Sequence, residues 1–387
     1  MLVLQRHNTR YDVRPMQSAN TAQLTRPALA CVLVLCVFLA LPIDVYPQRK
    51  QRASTVPETH LPNGLALDAH GNLYVSDLGT HRIYKLDARA RQTVIAGSGE
   101  AGFGGDGGLA INAQLHAPHD LLFDAEGNLL IADTGNHRIR KIDQRGVITT
   151  IAGDGKALQS NYNGAVPATS LNNPQGLALD REGNLLIADT YNHVIRKLDR
   201  NGKLSVFAGS VGGFGGDGAA ATQAQFCLPM AVAMAPDGRV FVSDAGNSRI
   251  RQITPDGTIK TIAGFGPAAD TYGGGFGGDG GPAEKAKLFS ATDLKFDAAG
   301  TLYISDSGNH RIRVIRNGII TTIAGNGQPG FGAEGNAAVA AALNTPQKIA
   351  LAKDGTLFIS DRPNHVIRKL NRQHNLHIIK LGTNTKE

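Results

Sequence analysis

Six near-copies of one 24-residue phrase recur along this chain at an almost constant interval. GLALDAHGNLYVSDLGTHRIYKLD begins at Gly64, DLLFDAEGNLLIADTGNHRIRKID at Asp120 and GLALDREGNLLIADTYNHVIRKLD at Gly176. The other three are AVAMAPDGRVFVSDAGNSRIRQIT from Ala231, DLKFDAAGTLYISDSGNHRIRVIR from Asp293 and KIALAKDGTLFISDRPNHVIRKLN from Lys348. A shared aspartate marks the phase at Asp77, Asp133, Asp189, Asp244, Asp306 and Asp361, which spaces the units by 55 or 56 residues, with one of 62 between Asp244 and Asp306. A repeat of this length means a solenoid, propeller or array, because one such unit cannot bury its apolar face alone.

Within a unit, four short apolar runs are separated by Gly, Asn and Asp. They are LALD-like (Leu65 to Asp68), NLYVSD-like (around Tyr74), RIRKL-like (Arg138, Ile139, Arg140, Ile142) and ITTIAG-like (Ile148 to Gly153). Runs this short, rich in β-branched residues and joined by turns such as Gly71-Asn72, are hairpin strands rather than helices. Four antiparallel strands repeated six times predict an all-β fold, a six-bladed β-propeller whose closed ring hides most sheet edges. Trp is absent, which argues against the WD40 form of this architecture.

The segment DTGNHRIRKI, followed by ITTIAG and preceded by GFGGDGGLA in the linker, resembles the NHL-repeat family in its bacterial, long-linker form. The resemblance covers roughly residues 58 to 382. It implies a six-bladed propeller, the number reached from the pattern itself, and a role in scaffolding or interaction more often than in catalysis.

The expected organisation is a basic tail over 1–26, an apolar segment over 27–43, a linker over 44–57 and one propeller over 58–387. Pro27 to Ile43 is 17 residues long, between a signal-peptide core and a short spanning helix. With Arg6 to Arg26 before it, this segment predicts export to the periplasm, cell envelope or medium, by a cleaved signal or a retained membrane anchor. Residues 1–52 carry seven basic side chains against Asp12 and Asp44, so the formal net charge of +7 leaves only +2 on the propeller. A basic isoelectric point that belongs to a tail is poor support for nucleic-acid binding. Cys31 and Cys36 fall in the apolar segment, and Cys227 stands alone in the propeller. Ring closure is therefore expected to be non-covalent. Either Leu376 to Gly382 or Arg52 to Val56 could provide the closing outer strand.

Candidate chemistry falls in three places. The Asp-x-x-x-His corners, with Ser248 replacing His in the fourth unit, invite a metal reading, but equivalent corners lie on a wide circle and cannot meet at one ion. An aspartate bonding to amides of its own turn explains the recurrence better. The Gly-rich linkers carry Asp106, Asp217, Asp279 and Glu334, and lack the P-loop lysine and the alternating acids of an EF-hand. Phe103, Phe214, Phe276 and Phe331 are expected to pack between blades. The third place is the residue that opens each inner strand: Gly64, Asp120, Gly176, Ala231, Asp293 and Lys348.

Blades two and five face each other across a six-fold ring. Asp120 and Asp293 should therefore converge on the channel mouth, with His119, Gln175, Thr292, Gln347 and Lys348 beside them. Asp120 and Asp293 could hold Ca²⁺, and an Asp293–Lys348 ion pair is the plainer alternative. The leading functional expectation is a non-catalytic exported scaffold that presents its long-loop face to a protein or glycan, without nucleic acid. The alternative is a six-bladed propeller enzyme, a lactonase-like hydrolase or a metal-dependent lyase. Family lyases of that kind hold metal through several axial His residues, whereas His119 is the one His at this mouth.

Overall fold

The computed structural model describes residues 60–157, 169–265, 275–332, 335 and 337–382. The apolar segment 27–43, the alternative closing strand Arg52 to Val56 and linker residue Glu334 lie outside these. Six four-stranded antiparallel sheets follow one another in chain order. Blade 1 comprises Pro62–Leu67, Leu73–Asp77, Arg82–Leu86 and Gln92–Ala96, numbered outward from the channel. The first strands of neighbouring blades touch one another around the ring, including Pro62–Leu67 of blade 1 and Ile349–Leu351 of blade 6.

The alternation of strand side chains puts one residue of every second strand into the space between blades. Val75, Ile131, Ile187, Val242, Ile304 and Ile359 hold this position, and all six are 0% exposed. Each such side chain stabilises the fold by roughly 1.5–3 kcal/mol. The third strand supplies Ile83, Ile139, Ile195, Ile250, Ile312 and Ile367 in the same way, all fully buried.

Three residues beyond the corner His or Ser, the third strand buries a charge in blades 2 to 6. Arg140, Arg196, Arg251, Arg313 and Arg368 are the largest fully buried side chains, and blade 1 has Tyr84 instead. Arg251 Nη2 lies 2.6 Å from Asp217 of the preceding linker, and its Nη1 is 3.3 Å from corner Asp244. Arg140 bridges Asp106 and Asp133, and Arg313 bridges Asp279 and Asp306. The linker aspartates are thus anchors that hold each linker to the blade it enters.

The linkers do not stand free over the face of the ring. Leu109 bridges Val147, Ala220 bridges Thr258, Pro282 bridges Ile319 and Ala337 bridges Asn375. Each contact extends the outer strand of the coming blade and covers an edge that would otherwise invite pairing. Gly105 explains the glycine content: its φ is +84°, and a Cβ there would sit 2.7 Å from Ala113 Cα. The linker phenylalanines do not pack between blades as expected. Phe103, Phe276 and Phe331 are 43%, 42% and 53% exposed. Arg138 and Arg311 lie 3.7 and 3.6 Å over the rings of Phe103 and Phe276, with Arg249 on Phe214 and Arg368 on Phe331. Alanine and leucine fill the inter-blade space instead, as Ala110, Ala113 and Leu115 do before blade 2.

The corners are structural, on a wider set of partners than their own turns. Asp77 accepts from the amides of Gly79 and Thr80 in its turn and from Leu61. Asp133 instead accepts the His116 amide at the entrance of its blade, the Asn136 side chain and Arg140. Each corner His adopts the left-handed conformation, as at His137 with φ 54°. In four of them Nδ1 accepts an amide of the next blade: Ala117 to His81, Asn173 to His137, Leu228 to His193 and Thr345 to His310. The Asp-x-x-x-His element is therefore a latch between blades.

Ring closure uses the last unit's own strand, since Leu376–Lys380 pairs with Val366–Leu370. Blade 6 then meets blade 1 through His365 Nδ1 with the His60 carbonyl and through Ser360 Oγ, which donates to the Pro62 carbonyl. Cys227 is the one cysteine among the described residues and is disulfide-bonded, so its bond does not join two described blades.

A latch that needs neutral imidazole should open in acid. Burial pushes His193 down to about 4. Its contribution is complete above its ordinary value near 6.5 and is lost as pH falls from there toward 4. Corner acids Asp189, Asp244 and Asp306, pushed up to about 6 by burial, contribute with opposite sign: fully below about 3.8, and lost as pH rises through 6. Those acids are common to parent and variant, so a His193→Gln comparison cancels them. The parent should melt higher than His193→Gln at pH 7, and the gap should close by pH 4.5. A gap that is constant across this range in thermal scans would remove His193 as the acid-sensitive latch.

Candidate functional site

The inner strands leave one edge facing the channel, with amides that no fifth strand can pair. Asp120 and Asp293 meet that need in the next blade around. Asp120 Oδ2 accepts the Leu177 amide at 2.9 Å, and Asp293 Oδ2 accepts the Ile349 amide at 2.9 Å. Both carboxylates are 1% exposed.

They converge, as their places in opposed blades require, and the cation between them belongs to the chain. Lys348 Nζ lies 3.4 Å from Asp120 Oδ2 and 3.6 Å from Asp293 Oδ1. Lys295 Nζ is 3.5 Å from Asp293 Oδ1. The expected Asp293–Lys348 pair is present and reaches on to Asp120. Two acids and two ammonium groups form a neutral, water-poor cluster near the axis. Burial pushes the Asp120 carboxyl up, but Lys348, Lys295 and two backbone amides overcome it and hold the group below its ordinary value. Lys295 is likewise kept charged by Asp293 and Asp120 against its burial. The two acids do not repel each other across open water, because Lys348 occupies the point where a bound ion would relieve them. Among the described residues, no group of three or more His, Cys, Asp or Glu is placed to hold a metal.

Gly64 makes room for this crossing: a Cβ there would lie 2.3 Å from the His119 carbonyl oxygen and 3.1 Å from Asp120 Cα. The other residues expected at the mouth divide. Thr292 and Gln347 lie in the seam of blades 5 and 6, 4% and 8% exposed, where Thr292 Oγ1 donates to the Gln347 carbonyl. Thr292 is turned toward the neighbouring blade by the bulge at the start of its inner strand. Gln175 bonds the Asn173 side chain. His119 stays beside the cluster, and its carbonyl accepts from Asn63 and Ser76 of blade 1.

Two residues of this centre were missed from sequence, and both break the repeat. Lys295 stands where the other blades have Ala66, Leu122, Ala178, Ala233 and Ala350. Arg362 follows the sixth corner aspartate, where the others carry Leu78, Thr134, Thr190, Ala245 and Ser307. Thr134, Thr190 and Ser307 each close on a proline carbonyl of the next blade. Arg362 reaches Asn63 Oδ1 at 3.3 Å instead.

A second concavity opens at the opposite end of blades 3 to 5. It encloses about 430 Å³, lined by Leu179, Arg181, Met234, Pro236, Phe296 and Asp297 among others.

A family model for the teneurin NHL domain matches residues 60–163 and 248–316, and an NHL-repeat model matches 171–198. The chain belongs to the NHL-repeat family. Relatives of this NHL propeller include teneurin-3 of Mus musculus, 30% identical over 277 residues, which cover 63% of the chain. Human teneurin-1 is 29% identical over 289 residues. The match spans about a tenth of the length of these teneurins. Among solved structures, an auxiliary nutrient binding protein from Bacteroides thetaiotaomicron superposes with a TM-score of 0.57 at 16% identity, over 82% of this chain and 69% of that one. A streptogramin B lyase superposes with a TM-score of 0.51 at 13% identity, over 85% and 86%. These last two likenesses are of fold alone.

Proposed function

We propose that this NHL propeller is an exported, non-catalytic scaffold that binds a protein or glycan partner through its linker side, without nucleic acid. The observation that carries this reading is the contrast between centre and rim. At the centre, each candidate acid is neutralised by a lysine of the same chain and bonded to a backbone amide, so neither carboxylate is free to act as a base. Along the linkers, Phe103, Phe276 and Phe331 hold one face against an arginine and offer the other to solvent. Rigid aromatic rings with little side-chain entropy to lose are efficient contact residues. Their repetition around the ring allows several weak contacts to act together. Export is supported by the apolar run Pro27 to Ile43 and the basic residues before it. A periplasm-active reporter fused after residue 60 tests that part.

The binding part is tested with the triple variant Phe103→Ala, Phe276→Ala, Phe331→Ala. These rings contribute little to the core, so the variant should fold and melt close to the parent. Its saturable binding to isolated cell envelopes should fall at least tenfold. Equal binding by parent and variant, or no saturable binding by the parent, would reject the linker side as the contact surface.

A further inference from the structure

The central cluster is neutral, yet one cation above it has no acid. Arg362 is mostly buried, and burial lowers it to about 10. Asn63 Oδ1 is its side-chain partner, and no carboxylate among the described residues forms a salt bridge with it. His119 lies within electrostatic reach of Arg362, Lys348 and Asp120. Burial first, then Arg362 and Lys348, pushes it down to about 3, so it faces Arg362 as a neutral imidazole. The facing groups are therefore Asp120 and Asp293, Lys295 and Lys348, and Arg362, which leave an excess of one positive charge on the guanidinium.

We propose that Arg362, with His119 beside it, forms a binding site at the channel mouth for a single carboxylate, carried by an acidic sugar. A guanidinium fork matches a carboxylate in two parallel hydrogen bonds. The excess of one charge fits a monoanion, whereas a phosphate dianion would leave one negative charge uncompensated. Beside the guanidinium, His119 is a neutral polar group suited to a hydroxyl. The inner positions Gly64, Gly176 and Ala231 form no apolar pocket for the side chain of a peptide C-terminus. The proposal rests on the propeller being a binding module, but it uses the mouth and not the linker rings.

Thr134 and Thr190 occupy the equivalent corner position in blades 2 and 3 and fit there, so Arg362→Thr is a substitution the fold already tolerates. Thermal scans of parent and Arg362→Thr would be run with digalacturonate, with its methyl ester, and with an N-acetyl dipeptide bearing a free C-terminus. Digalacturonate at 100 times its dissociation constant should raise the parent's melting temperature by several degrees through mass action. The ester and the dipeptide should not, and Arg362→Thr should lose the shift while melting normally without ligand. No shift in the parent, an equal shift with the ester, or a shift kept by Arg362→Thr would overturn the carboxylate site. A shift with the dipeptide alone would overturn the sugar. The triple phenylalanine variant should keep the digalacturonate response, which separates failure here from failure of the linker surface.

Discussion

Ending the chain at Asn344, which removes blade 6, should yield an aggregating protein with no cooperative melt. Blade 1 packs Leu65, Leu73, Val75, Tyr84 and Leu86 against Ala350 and Ile367 of blade 6. Blade 5 packs Ile312 and Ala324 against Leu343, Ile349 and Ile359. Opening the ring exposes both surfaces at once. At roughly 1.5–3 kcal/mol for each large aliphatic side chain, four or five of them equal about 6–15 kcal/mol. That matches the whole stability of a typical domain, about 5–15 kcal/mol. Repeat architectures also fold by neighbour contacts, so an unfilled flank loses the coupling that makes the melt cooperative. Size-exclusion chromatography and calorimetry would check this. A monomeric five-blade protein with a single sharp transition near the parent's would refute the account of ring closure.

Asp120→Asn combined with Asp293→Asn should destabilise the protein by about 3–5 kcal/mol, the cost of stranding a buried charge. Sequence reasoning alone gives the opposite sign, because it sees two like charges whose removal relieves repulsion. In the structure they are held together by Lys348, 3% exposed, which keeps no acid once both are amides. Lys348→Met alone should cost a similar amount by leaving two buried acids facing each other. Adding Lys348→Met to the double amide variant should restore most of the loss, since a buried ion cluster replaced whole by neutral groups is often harmless. Lys295, 24% exposed at its side chain, can turn to water. Urea unfolding of the four proteins measures these differences. Simple additivity, with the triple variant the weakest of all, would show that the four charges do not act as a unit.

Much of the centre was legible before any coordinates. The choice of Asp120, Asp293 and Lys348 came from one observation, that they interrupt a run of small residues at a position whose side chains face the axis. Applied to every position of the repeat, the same test would have found Lys295 and Arg362. Lys295 sits two residues beyond Asp293 on the same face of its strand, and Arg362 replaces a threonine or serine. Thr292 faces the seam because neighbours in sequence are not neighbours in direction here: a bulge between Ala291 and Asp293 turns it toward the next blade. Phe103 and its equivalents were misplaced for a different reason. Aromatic residues are usually buried, but the seam was already filled by linker alanines and leucines, and Arg138, Arg249 and Arg311 at the start of the third strands offered the rings a cation to lie against.

The six-fold count, the four strands of each unit and the structural nature of the corner aspartates follow from the sequence by itself. They depend on local periods, turn residues and repetition, all written within a unit of 55 or 56 residues. Only the tertiary structure decided what the exceptions to the repeat do. Lys348 and Asp120 are 228 residues apart along the chain and become partners because closing the ring brings blade 6 past blade 1 to blade 2. The linkers became edge covers because each outer strand has unpaired backbone groups that the linker entering its blade can reach. Those outcomes rest on curvature and on distances between blades, which no single repeat encodes.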